Sequence, residues 1–246
     1  MLELSVWENN AITRKEDSVF TNRVFGENNK VFISGKLEAE FEYGYKEKRE
    51  RFFRNRVIVE RLSETKDFIP IMVPEYLLGN NKDEMKGKWV EIYGQLRTWN
   101  EVIDKKKKRS HLRVFLMVTE INIYDDEGEA LEIINGNWSY YDGYICKPPV
   151  IRTTPSGKEI TDVILAVNRD NKLNSDYIPC IVWSHEEGET KDFKVGTHLK
   201  FYGRIQSRTY FKDDPKDPSK KIEKTAYEVS VMRMLSIDDV SCFEKK

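Results

Sequence analysis

Asp67, Ile69, Pro70, Gly87 and Gly94 recur 109 positions later as Asp176, Ile178, Pro179, Gly196 and Gly203. Gly35 and Arg61 recur 108 positions later as Gly143 and Arg169. One such coincidence would mean little. A set held in one register, with the same alternation of apolar and polar residues around it, is an internal repeat. Glycines inside strand patterns mark bulges or bends, and small closed barrels need such bends at fixed places. The repeat therefore predicts two diverged copies of one β unit, residues 29–124 and 138–238. Around them lie an N-terminal extension without clean periodicity (1–28), an acidic linker (125–137, containing Asp125-Asp126-Glu127-Gly128-Glu129) and a short tail (239–246).

Period-two alternation predicts about five strands per copy. In the first they begin with Val31, Ile33 and Gly35, continue through Phe53 to Val59 and Phe68 to Val73, and end with Trp89 to Thr98 and Leu112 to Tyr124. Tyr76 to Leu78 opens a short helix that ends before Gly87. The second copy repeats the pattern, with Leu199–Tyr210 and Ala226–Leu235 as fourth and fifth strands and Lys212–Lys221 as a long loop. The class is all-β, with one short helical element between the third and fourth strands of each copy.

The stretch Tyr177 to Trp183 is strand-like, and side chains alternate faces along a strand. Ile178, Cys180 and Val182 then point to the core, while Tyr177, Ile181 and Trp183 point outward, bordered by Arg152, Lys158, Arg169 and Lys172. Arg204, Gln206 and Arg208 share one face of the next strand. Aromatic rings among cations suit a sequence-tolerant binder of single strands: a π-face for each base, a cation for each phosphate. Taken from the residues alone, the same rings also suit ordinary strand aromatics filling a core or a subunit interface.

The runs P-S-G-K-E-I-T-D-V-I-L-A-V-N-R, D-Y-I-P-C-I-V-W and V-G-T-H-L-K-F-Y-G-R-I-Q-S-R-T-Y resemble, in order and spacing, the bacterial single-stranded DNA-binding protein family, over Trp138 to about Ile237. The resemblance implies two tandem five-stranded Greek-key OB-fold barrels and non-sequence-specific binding of single-stranded DNA in replication, repair or recombination. It places Tyr177, Trp183 and Tyr210 at base-stacking positions, with Tyr for Trp at 177 and 210. Arg152, Arg169, Arg204 and Arg208 would meet phosphates. In the first copy Phe68 takes the position of Tyr177 and Pro74 that of Trp183. Trp99, Arg97, Arg54, Arg56 and Arg61 complete that copy's candidate surface, and the basic tip Lys105–Arg109 suits phosphate as well. Because the family assembles four barrels, a two-barrel chain implies a homodimer, with replication or repair proteins as further partners. The family's acidic, Phe-terminated tail is missing, since Lys245 and Lys246 follow Phe243. That departure favours the competing expectation, an accessory replication or primosome-type OB module whose main surface meets protein.

A 34% share of charged residues with 12% aromatics excludes a disordered chain, and a net charge of −1 requires that any basic surface be local. Three widely spaced cysteines form neither a disulfide framework nor a zinc site. The start M-L-E-L-S-V-W-E-N-N has no leader pattern, and the apolar runs are too short to cross a bilayer. The expected location is the cytoplasm, on the nucleoid when DNA is bound. His111, His185 and His198 stand apart from metal-ligand spacings, His185-Glu186-Glu187 does not continue to H-E-x-x-H, and no P-loop or G-x-S-x-G elbow occurs. No cofactor, metal or catalytic step is expected.

Overall fold

Alternating apolar residues set the strands, and the glycines and asparagines between them set where the strands bend. The computed structural model describes residues 28–79, 83–104, 109–126, 134–154, 156–169, 174–184, 188–214 and 220–238. The N-terminal extension up to residue 27, the tail from residue 239, Lys105–Lys108, Lys172 and residues 215–219 lie outside the described residues. The strands of the first half are β1 (Lys30–Leu37), β2 (Glu42–Glu47), β3 (Glu50–Glu60), β4 (Lys66–Pro74), β5 (Trp89–Asp104) and β6 (Arg109–Tyr124). Those of the second are β7 (Asn137–Ile145), β8 (Val150–Thr153), β9 (Glu159–Asn168), β10 (Ser175–Trp183), β11 (His198–Asp213) and β12 (Lys221–Asp238).

In the first half the pairing runs β3–β4–β6–β5–β1 and returns from β1 to β3 through Lys36↔Ile58 and Leu37↔Val57. In the second it runs β9–β10–β12–β11–β7 and returns from β7 to β9 through Tyr144↔Ala166 and Ile145↔Leu165. One parallel pair occurs in each, β4–β6 and β10–β12. Among the described residues each half has a sixth strand that the alternation did not separate: β2 and β8 each pair with the strand that follows them. The halves join edge to edge, β1 antiparallel to β7, with Val31 opposite Ser139. Those two residues are 108 apart, so each copy meets its own counterpart there.

The repeated glycines have a steric cause. At Gly94 an added Cβ would come 2.3 Å from the Met117 carbonyl oxygen, and at Gly203 it would come 2.6 Å from Val229 Cγ1 and 2.8 Å from the Ser230 carbonyl oxygen. The strand register shifts beside both, between Tyr93 and Gly94 and between Tyr202 and Gly203. These are the bends that let the long fourth strand leave its neighbour and close the ring. A second repeated device was not read from the sequence. The Asn29 amide exchanges two hydrogen bonds with the backbone of Leu96, at 2.8 and 2.9 Å, and Asn137 does the same with Ile205, at 2.7 and 2.9 Å. Each side chain continues a strand ladder past the end of its backbone.

Three expectations change. The hairpins β5–β6 and β11–β12 run far beyond their rings, with pairing out to Asp104↔Arg109 and Asp213↔Lys221, so the segment expected as loop from Lys212 begins as strand. The short helix exists in the first half as α1 (Glu75–Leu78), bounded by Pro74 and by Gly79 at φ 61°. In the second half the described residues between β10 and β11 form turns instead. Their bonds span three residues, Lys191 N to Gly188 O and Phe193 N to Thr190 O, and Gly188 and Gly196 take positive φ. The third is Ile181, expected on the outer face, which is only 5% exposed.

Gly94→Ala forces the Met117 carbonyl away or opens the bend. Overpacking of this kind costs about 1–3 kcal/mol, and thermal unfolding is expected to show the loss, with Gly79→Ala, whose added Cβ meets nothing within 4 Å, reporting backbone strain alone.

Candidate nucleic-acid interface

Two fully buried aspartates, Asp67 on β4 and Asp176 on β10, organise the seams between the halves. Asp67 accepts two bonds from Arg61, at 2.7 and 2.6 Å, and one from the backbone N–H of Ser207 on the other half, at 2.7 Å. The Phe68 N–H returns a bond to the Ser207 hydroxyl at 3.0 Å. Asp176 repeats the arrangement. It accepts two bonds from Arg169, at 2.9 and 2.7 Å, and one from the Thr98 N–H at 2.8 Å, while the Tyr177 N–H donates to the Thr98 hydroxyl at 2.7 Å. Arg97 adds a further bond to Asp176 at 2.9 Å and another to Gln95. A carboxylate out of water is tolerated only when charge-paired and fully hydrogen-bonded, and here part of that bonding comes from the other copy. The phosphate role expected for Arg61, Arg97 and Arg169 therefore competes with a structural one: all three are fastened to buried carboxylates.

The extended hairpins make each outer face composite. The β5–β6 arm carries Trp99, a ring 45% exposed and packed edge-on against Phe115, one residue past the Thr98 contact with the Tyr177 backbone. The β11–β12 arm brings Arg208 beside Phe68, where they line a groove of about 520 Å³ with Arg56, Arg61, Gln206 and Ser207. Arg56 lies over the Phe68 ring at 5.8 Å, and Arg208 over that of Tyr210 at 5.8 Å. On β10, Tyr177 is 45% and Trp183 37% exposed. The Trp183 indole N–H donates to Ser230 on β12 at 3.0 Å, which holds the ring against the sheet. Arg152, on β8, is opposite Ile160, itself opposite Trp183. Pro74, at the first half's counterpart of Trp183, is buried at the end of β4.

The outer arginines carry acidic partners: Arg54 with Glu42, Arg56 with Glu38, Arg152 with Asp162 and Arg208 with Glu228. Burial pushes the Glu228 carboxyl up, with Arg208 opposing, and the neighbouring Asp162 adds to the rise. Arg204 differs. Its Nε is buried without a hydrogen-bond partner among the described residues, and burial, followed by the nearby Arg61, lowers its pKa against the pull of Asp67.

Another aromatic group was not anticipated. Phe32, Tyr93, Trp138, Tyr140 and Tyr202 cluster on the sheet face opposite the core where β1 meets β7. Cys180 is a core residue whose thiol burial pushes up, Cys146 is a free thiol, and Cys242 lies outside the described residues. No group of His, Cys, Asp and Glu among the described residues is placed to hold a metal, and no described helix is long and apolar enough to cross a membrane.

Separated rings on an open sheet face, with arginines between them, form the kind of surface that takes unpaired bases. Residues 141–235 match the single-strand binding protein family, a match that lies within the second half. A single-stranded DNA-binding protein 2 of Listeria innocua is 35% identical over 80 residues, 30% of this chain and 50% of that protein. One from Clostridium tetani is 35% identical over 74 residues, 28% of this chain and 51% of that protein. The chain thus spans about half the length of the curated relatives it matches. The crystal structure of wild-type single-stranded DNA binding protein from Thermus aquaticus superimposes with a TM-score of 0.61 at 18% identity, covering 84% of this chain and 91% of that one. That likeness extends to both halves and concerns the fold.

Asp176→Ala leaves Arg97 and Arg169 without their shared carboxylate. Breaking a buried pair from one side costs about 3–5 kcal/mol, a loss expected in the urea midpoint and accompanied by earlier exchange of the Thr98 and Tyr177 amides.

Proposed function

We propose that this chain binds single-stranded DNA without sequence preference, through two tandem OB-fold barrels, in replication, repair or recombination, and that it performs no catalytic step. The observation that carries this is β10, where Tyr177 and Trp183 stand open on the outer face while the alternate residues Ile178, Cys180 and Val182 are buried in the core. The closed five-strand rings, each with one parallel pair, support the barrel assignment. The second half's match to the single-strand binding protein family supports the ligand.

Bases would stack on Tyr177 and Trp183, with Trp99 extending the row from the other half. Phe68 and Tyr210 would serve the opposite seam. Arg54, Arg56, Arg152 and Arg208 would exchange their carboxylate partners for phosphates. That exchange reconciles a net charge of −1 with an anionic ligand: the cations are local and neutralised until the strand arrives. The aromatic face of Phe32, Tyr93, Trp138, Tyr140 and Tyr202 supports a homodimer of four barrels, whose mass sedimentation would report.

Stacking contributes about 1–3 kcal/mol per base. Tyr177→Ala and Trp183→Ala are each expected to weaken oligo-dT binding about 5- to 150-fold, with tryptophan fluorescence quenched on binding to the wild type and affinity falling as salt rises. Unchanged affinity in the double variant would instead favour the accessory protein-binding module.

A further inference from the structure

The two seams share one plan, but they are not chemically equal. At the Asp176 seam both arginines are engaged: Arg169 holds the carboxylate with two donors, and Arg97 bonds to Asp176 and to Gln95. At the Asp67 seam the repeat exchanges the two side chains. Arg204 stands where the first half has Gln95, and Gln206 stands where it has Arg97. Among the described residues Arg61 is the one guanidinium bonded to Asp67, and the Ser207 backbone N–H and hydroxyl complete the carboxylate. Arg204 is left near them, its Nε buried and without a partner among the described residues. Both seams hold one carboxylate and two guanidinium groups, so their formal charge is the same. They differ in whether the donors are occupied.

The position of Arg204 gives this difference a use. On β11 it is opposite Ser230, the residue that receives the Trp183 indole N–H. Arg61 is close enough to act on its charge, and Arg61 also lines the groove that Phe68, Arg56 and Arg208 share with Glu38, Glu223 and Glu228. A row therefore runs from Trp183, through the buried Ser230 and the neighbouring Arg204, towards the groove that holds Phe68. A buried guanidinium N–H without an acceptor is a costly arrangement, and a phosphate oxygen satisfies it.

We infer that a single strand crosses from one half to the other at the Asp67 seam, between Trp183 and Phe68, and that Arg204 receives the phosphate at the crossing. The inference rests on the single-stranded DNA reading above. The Asp176 seam, with its arginines engaged, offers no such phosphate contact, and the row there passes between Tyr177 and Trp99 by stacking alone.

The experiment compares wild type, Arg204→Gln, Arg204→Lys and Arg97→Gln for binding to oligo-dT across a salt series, using one oligomer long enough to span both halves and one confined to a single ring pair. Losing a hydrogen bond to a charged group predicts that Arg204→Gln weakens the long oligomer about tenfold or more. It also lowers the salt slope by about 0.7, the value for one phosphate contact on a single strand. The short oligomer is unaffected, and Arg204→Lys keeps the wild-type slope. Arg97→Gln lowers the unfolding midpoint and leaves the slope alone. Wild-type affinity and slope in Arg204→Gln, or equal slope losses in Arg204→Gln and Arg97→Gln, overturn the crossing while leaving DNA binding intact. Absence of any oligo-dT binding by the wild type overturns the underlying reading instead.

Discussion

Everything in the arrangement of the two halves depends on a pair of carboxylates that neither half can satisfy alone. Asp67 and Asp176 are fully buried, and each takes a bidentate arginine from its own half and a backbone N–H from the other. Without the partner half each aspartate would lose its cross-half hydrogen bond and the cover that keeps water out, leaving an exposed Arg–Asp pair that contributes little. The β1–β7 ladder adds backbone bonds along the same interface. Together they set the register between the halves, and that register decides which rings become neighbours.

The long hairpins follow from the same geometry. Thr98 and Ser207 sit on strands that have already left their own rings, and each is fixed by bonding to the other half's aspartate and to the residue after it. Beyond those points the arms carry Trp99 in one case and Arg208 and Tyr210 in the other. An aromatic platform on either half is thus completed by its neighbour. The neutral overall charge has a local counterpart, since the outer arginines of these platforms lie against glutamates and aspartates.

The repeat was legible because its glycines answer to backbone contacts that no side chain survives, as at Gly94 and Gly203. The core face of β10 was legible because alternation is strict where one side is buried and the other wet. The arms were not, because beyond Thr98 and Ser207 most of their side chains are exposed, as at Val102 and Phe211, and a ladder without a buried face prints no alternation. Arg61, Arg97 and Arg169 looked like surface cations for the same reason: an arginine reads alike whether its acceptor is a phosphate or a buried carboxylate. A signal was available, since Arg61 with Asp67 and Arg169 with Asp176 recur as pairs. Asn29 and Asn137 recur too, but side-chain amides that prolong a ladder leave no mark in a hydrophobic pattern. Ile181 was misplaced because an outward-pointing residue can still be covered.

Val31 faces Ser139, its own counterpart, so the halves meet about an approximate two-fold axis. In an assembly of identical one-barrel chains, any substitution appears on both sides of such an axis. Covalent fusion removes that constraint: the exchange that puts Gln95 and Arg97 on one side and Arg204 and Gln206 on the other is open only to a chain whose copies can drift separately. A polymer lying over such a surface meets unlike chemistry at its two flanks, and the pairing of the halves thereby acquires a polarity that a symmetric pair lacks.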